Sequence, residues 1–169
     1  MNNIATIWTE DRLNFERVRY YSVLLEGQEE CEFARFWKRM EEIRGLDDEL
    51  NDMYVWLTLI GNKYGARKDF FREERHAQAL PPINRIAKIG PVPGALRLYC
   101  LRLSDTVVIL FNGGIKTKRE ALDCPNVGPQ LRLADKIATE IISMVTKGEI
   151  KLKEKKLIFK PETEIEFGG

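Results

Sequence analysis

The chain has 169 residues, 44% hydrophobic and 31% charged, the size and composition of one globular domain with a single core. No apolar run approaches the roughly 18 residues of a membrane span, and "MNNIATIWTEDR" lacks the basic start and apolar block of a secretory signal, so a cytoplasmic location is expected. The net charge of +1 hides a segregation: residues 1–62 carry seven basic against thirteen acidic side chains, residues 63–119 twelve against four, and residues 120–169 eight against nine. A basic middle third of this kind suits a polyanion or an acidic partner.

In chain order, "ERVRYYSVLLEG" at 16–27 is rich in β-branched and aromatic residues and closes on Gly27, which predicts a first strand. In "EECEFARFWKRMEEIRG", Phe33, Phe36, Trp37, Met40 and Ile43 fall at steps of three and four, one helical stripe stopped by Gly45. A second helix starts with Asp47 as its cap and repeats the stripe with Leu50, Met53, Tyr54, Leu57 and Ile60. Together they predict an αα-hairpin. "GNKYGARKDFFREERHAQALPPINR" reads as a surface connection with a helical turn around Phe70–Ala77 and a break at Pro81-Pro82. Strands are predicted at 83–90, 95–103 and 106–112, the last two joined at Ser104-Asp105, giving with 17–26 an antiparallel sheet. Leu131, Ala134, Ile137, Ile141, Ile142 and Val145 then mark a helix ended by Gly148. "EIKLKEKKLIF" alternates as one or two short strands, and residues 161–169 form a tail expected to be mobile at its end. The expected fold is one α+β domain over residues 1–160.

The chain holds no phosphate loop, dinucleotide fingerprint, zinc-protease motif or nucleophile elbow, so no cofactor is expected. Cys31, Cys100 and Cys124, with only His76 as an imidazole partner, are expected as reduced thiols, and His76 as an exposed side chain. The stretch "TVVILFNGGIKTKRE" is more pointed. Asn112-Gly113 is a favoured hairpin dipeptide. Alternatively, Gly113 and Gly114 leave room for a phosphate chain beside Lys116, Lys118 and Arg119. On the preceding strand Arg97 and Tyr99 share a face, and Arg102 lies on the other.

The order of strand, two helices, three-stranded meander and helix, with "LRLYCLRL" leading into "TVVILFNGGIKTKRE", resembles the RelE/ParE superfamily of bacterial toxins. The likeness is greatest to its HigB-like, phage Gp49-like branch and covers roughly residues 17–147. The resemblance implies the toxin of a type II toxin–antitoxin pair, an endoribonuclease that cuts messenger RNA on the ribosome by attack of a ribose 2′-hydroxyl on the neighbouring phosphate. Its partners would be an antitoxin protein and the ribosome with its mRNA. Arg97 then matches the family's strand arginine, and Lys116, Lys118 and Arg119 its basic group after the last core strand. In these roles Arg97 and Lys118 stabilise charge on the scissile phosphate, while Tyr99, Lys116, Arg119 and Arg102 contact RNA. The chain departs from the family in having no Tyr or His between Lys116 and Lys147 to serve as acid or base. Members resembling ParE inhibit gyrase without cleavage, which leaves a non-catalytic binding module or a protein-interaction module as the alternative.

Overall fold

The computed structural model describes residues 3–82, 95–117 and 124–168. Its elements are β1 (Ile4–Asn14), β2 (Arg19–Leu25), α1 (Glu32–Glu41), α2 (Asp47–Leu59), β3 (Arg72–Glu74), β4 (Ala77–Leu80), β5 (Leu96–Arg102), β6 (Val107–Ile115), α3 (Gly128–Thr146), β7 (Lys151–Lys153), β8 (Lys156–Ile158) and β9 (Ile165–Glu166). Among the described residues a seven-stranded sheet runs β3-β4-β5-β6-β2-β1-β9, and β7 and β8 form a separate hairpin. Neighbouring strands of the sheet are antiparallel except β2 and β6, which pair in parallel. The α+β class is therefore as expected, with a mostly antiparallel sheet. No described helix is long and apolar enough to cross a membrane.

β6 is apolar on both faces because both faces are covered. Val107, Ile109 and Phe111 join Tyr21, Val23, Tyr99 and Leu101 under α3, which adds Leu131, Ala134, Ile137, Ala138 and Ile141. Val108 and Leu110 join Tyr20, Leu98 and Cys100 against Phe36 and Met40 of α1 and Met53, Trp56 and Leu57 of α2. Each large side chain removed from water in this way contributes about 1.5–3 kcal/mol. The result is a sheet between two helical layers.

Several details differ from expectation. β1 was not foreseen and lengthens the sheet beyond β2. In α2 it is Trp56 that fills the core, while Tyr54 stays 51% exposed. Asp47 does not cap α2. The cap position is Leu46, and Asp47, Asp48 and Glu49 instead place negative charge in the first turn, where the helix dipole favours it. The segment read as a surface connection is not one: Phe70, Phe71, Ala77, Ala79 and Leu80 are buried, and β3 and β4 extend the sheet beyond β5. The strand expected at 83–90 lies outside the described residues. Beyond residue 160, β9 pairs with β1, and Ile165 and Phe167 are buried.

Asn112-Gly113 does not form a hairpin turn, since β6 runs through to Ile115. Leu98 is opposite Gly113 whereas Cys100 is opposite Leu110, so Phe111 and Asn112 together face Tyr99 in a β-bulge. A β-carbon at Gly113 would lie 1.9 Å from the carbonyl oxygen of Arg97, and one at Gly114 2.9 Å from that of Asn126. The room that the glycines provide is filled by the protein's own backbone. Gly113→Ala must therefore force β5 and β6 apart, and a loss of about 3 kcal/mol is expected as a lowered urea midpoint. Gly168→Ala, where nothing lies within 4 Å, should stay within about 0.5 kcal/mol of the parent. Equal midpoints for the two variants would contradict the close approach.

Candidate functional site

Antiparallel pairing lines side chains up in rows across the sheet. Arg72 pairs with Ala79 and Ala79 with Tyr99, while Glu74 pairs with Ala77. Ala77, Ala79 and Tyr99 all lie under α3, so Arg72 and Glu74 belong to that face too. Arg97, two residues before Tyr99, shares it by strand alternation. The two alanines of β4 put only methyl groups between the β3 side chains and those of β5.

Arg97 is half-buried, and its Nη1 donates to the Leu96 carbonyl at 3.0 Å. Arg72 is held beside it by an Nε hydrogen bond to the Pro81 carbonyl at 3.2 Å. Burial and then the Arg72 guanidinium push the Arg97 pKa below its ordinary value, against the pull of Tyr99, Glu74 and Glu49. Arginine nevertheless stays cationic. Two like charges in one partly desolvated place repel, and an arriving anion relieves that repulsion. The start of β5 is fixed from α2, since Glu49 Oε1 accepts the backbone N–H of Ala95 at 2.8 Å and of Leu96 at 3.3 Å.

Tyr99 is fully buried, and its hydroxyl has no hydrogen-bond partner. Burial, then the nearby Glu74 carboxylate, raises its pKa, with Arg97 pulling the other way. The hydroxyl is thus neutral. With no exposed ring face, Tyr99 cannot stack on a base in this arrangement.

The loop that enters α3 holds an anion of its own. Cys124 Sγ accepts the Thr117 backbone N–H at 3.3 Å and lies 3.3 Å from the Thr117 hydroxyl. Burial pushes its pKa up, but hydrogen bonds from the Thr117 side chain and from the backbone N–H groups of Thr117, Asn126 and Val127 prevail and bring it down to about 6. Cys124 is set against the N-terminal end of α3, where the helix dipole favours the thiolate over the thiol, and its Sγ also lies 3.7 Å from the Ile115 carbonyl oxygen. It joins the end of β6 to the start of the helix.

Of the residues singled out in the sequence, Arg97 and Tyr99 lie on one face. Lys116 is half-buried just past β6, its N–H bonded to the Ala95 carbonyl at 2.9 Å beside the start of β5. Lys118 and Arg119 lie outside the described residues. Arg102 does not join the group: its guanidinium donates to the Ala66 carbonyl and pairs with Asp105, so it ties the β5–β6 turn to the chain after α2. His76 is exposed, and both its backbone N–H and its Nδ1 meet Asp135 Oδ1, at 2.9 and 3.0 Å. Sequence reasoning missed Arg72 and Glu74, which sit on a three-residue strand too short for alternation to show.

Cys124 generates a pH prediction. Its folded pKa of about 6 lies below the ordinary value near 9, so the thiolate's stabilisation is complete above pH 9 and is lost as the pH falls through 6. The stability difference between the parent and Cys124→Ser, from urea unfolding under reducing conditions, should grow as the pH rises from 6 to 9. A difference independent of pH would contradict the thiolate.

The chain matches no family model, no curated protein and no solved structure, so its chemistry is read from its own side chains.

Proposed function

We propose that this protein is the toxin of a type II toxin–antitoxin pair, of the RelE/ParE superfamily and its HigB-like branch, and that it cleaves messenger RNA on the ribosome. The observation that carries this reading is the pair Arg97 and Arg72 on one sheet face, with the Glu74 carboxylate in electrostatic reach. The element order lends support: β2, two helices, the consecutive antiparallel strands β4, β5 and β6, then α3. The described strand beside β5 is β4, at Ala77–Leu80.

A phosphate of the message lies against Arg97 and Arg72, whose guanidinium forks match its oxygens. Glu74 takes the proton of the ribose 2′-hydroxyl, and the 2′-oxygen attacks the adjacent phosphorus. The bond from phosphorus to the 5′-oxygen breaks, leaving a 2′,3′-cyclic phosphate and a 5′-hydroxyl protonated by solvent. Negative charge grows on the phosphoryl oxygens during the attack, so the two arginines stabilise the transition state more than the bound substrate. Lys116, followed in the chain by Lys118 and Arg119, holds the flanking backbone. Glu74 fills the role for which the sequence near α3 offers no Tyr or His.

The test is inducible expression with and without the product of the neighbouring gene, the expected antitoxin. Growth arrest with cut mRNA is expected for the toxin alone. Arg97→Ala should lower cleavage by about 10²–10³-fold while thermal unfolding and antitoxin binding persist. Glu74→Gln should lose cleavage with RNA affinity retained. Full arrest by Arg97→Ala with intact mRNA in both strains would refute the nuclease and leave a gyrase-type inhibitor.

A further inference from the structure

Beyond α3 the chain turns strongly basic: residues 147–160 hold Lys147, Lys151, Lys153, Lys155, Lys156 and Lys160 against Glu149 and Glu154. In the β7–β8 hairpin Lys151 faces Ile158, Leu152 faces Leu157, and Lys153 faces Lys156. Leu152 and Leu157 pack into the core under α3. Alternation therefore sends Lys151, Lys153, Lys156 and Ile158 to the outward face, where all four are exposed.

The hairpin is held firmly. Leu157 N–H donates to the Tyr21 hydroxyl at 3.0 Å, and the Thr106 hydroxyl donates to the Glu154 carbonyl at 2.6 Å. Lys155 serves the same purpose, donating to Asn14 Oδ1 and to the Phe15 carbonyl. The outward lysines do not. Among the described residues no acid lies within ion-pair distance of Lys147, Lys151, Lys153, Lys156 or Lys160. Lys153 and Lys156 stand directly opposite each other, a like-charge pair that disfavours the hairpin unless an anion shares it. A 660 Å³ hollow adjoins this face, lined by Lys147, Lys151 and Lys160 with Glu149 and Glu164.

We propose that the outward face of the β7–β8 hairpin is a second contact for RNA, taking successive phosphates of its backbone, an inference that rests on the RNA reading of the Arg97 site. Lys151 and Lys153 stand about 6.6 Å apart along β7 and Lys153 about 5 Å from Lys156 across the pair, a spacing comparable to that of neighbouring phosphates on one strand. A protein partner is disfavoured by size, because two three-residue strands cannot supply the roughly 800 Å² per side of a stable interface. A lipid surface is disfavoured because Ile158 is the only large apolar side chain among the four. The hairpin bonds to Thr106, just past the far end of β5 from Arg97, so the two contacts lie about 20 Å apart. An RNA strand would have to span both.

The test combines Lys151→Gln, Lys153→Gln and Lys156→Gln in the full chain and follows binding of a short polyuridine RNA by fluorescence anisotropy as salt is raised. Three lost phosphate contacts should make the slope of log affinity against log salt shallower by about 2, so the affinity lost between roughly 50 and 200 mM salt shrinks by about 20-fold. The triple Lys→Arg variant should keep the parent slope and thermal unfolding, and the glutamine variant, relieved of the Lys153–Lys156 repulsion, should unfold no lower than the parent. An unchanged slope in the glutamine variant overturns the inference. Loss of binding to phosphatidylserine vesicles with RNA binding intact overturns it in favour of a lipid surface. If the parent chain fails to bind polyuridine, the RNA reading falls with it. If the parent binds and only Arg97→Ala weakens binding, the hairpin contact alone falls.

Discussion

The arrangement around Arg97 depends on one close contact, the approach of the β5 and β6 backbones at Arg97 and Gly113. No side chain fits there. The bulge that precedes it disturbs the hydrogen-bond ladder, and buried backbone groups at such a point need other partners. α1 supplies them. Arg39 Nη2 donates to the Gly113 carbonyl at 2.7 Å and to Asn112 Oδ1, which also accepts the Gly113 N–H at 2.8 Å. On the other face the Asn126–Val127 loop closes over Gly114. Glycines make this three-way convergence of β5, α1 and the α3 entrance possible.

The network behind Arg39 extends inward. Asn112 Nδ2 reaches Glu32 Oε1 at 3.4 Å, and Arg35 Nη1 donates to Glu32 Oε2 at 2.8 Å. Glu32 is 1% exposed, a burial that a carboxyl group tolerates when cations and an amide surround it. Burial, then Arg35, lowers the Arg39 pKa, and Glu32 opposes them. The same balance recurs across the sheet, where Arg97 and Arg72 repel and Glu74 compensates. The two clusters differ in what they hold. Arg39 is committed to the bulge, while Arg97 and Arg72 each donate to a backbone carbonyl, of Leu96 and of Pro81.

How much of this was legible in the sequence depends on element length. α3 was found because nineteen residues repeat a stripe, and β5 and β6 because alternating runs flank a short polar turn. β3 and β4, at three and four residues, carry too little pattern to separate from a loop, so Arg72 and Glu74 stayed hidden while Arg97 did not. The glycine pair stands out in the sequence, but its cause does not, because a close approach between distant segments has no local signature. Tyr99 shows the converse. Parity put it correctly beside Arg97, and only the packing of α3 decided that its ring would be covered.

The fate of the α3 N-terminus follows from the same packing. A helix start is a ready place for an anion, yet Cys124 already takes the N–H groups of Asn126 and Val127. The dipole is spent on holding the β6–α3 connection together, not on a ligand. An anion reaching this face would meet side chains, Arg97 and Arg72. Side-chain cations, unlike amides fixed in a helix end, can follow an RNA backbone whose sugars and bases differ from one site to the next. The fold thus separates a helix entrance closed by its own hydrogen bonds from the side-chain cations Arg97 and Arg72, on which the proposed RNA cleavage rests.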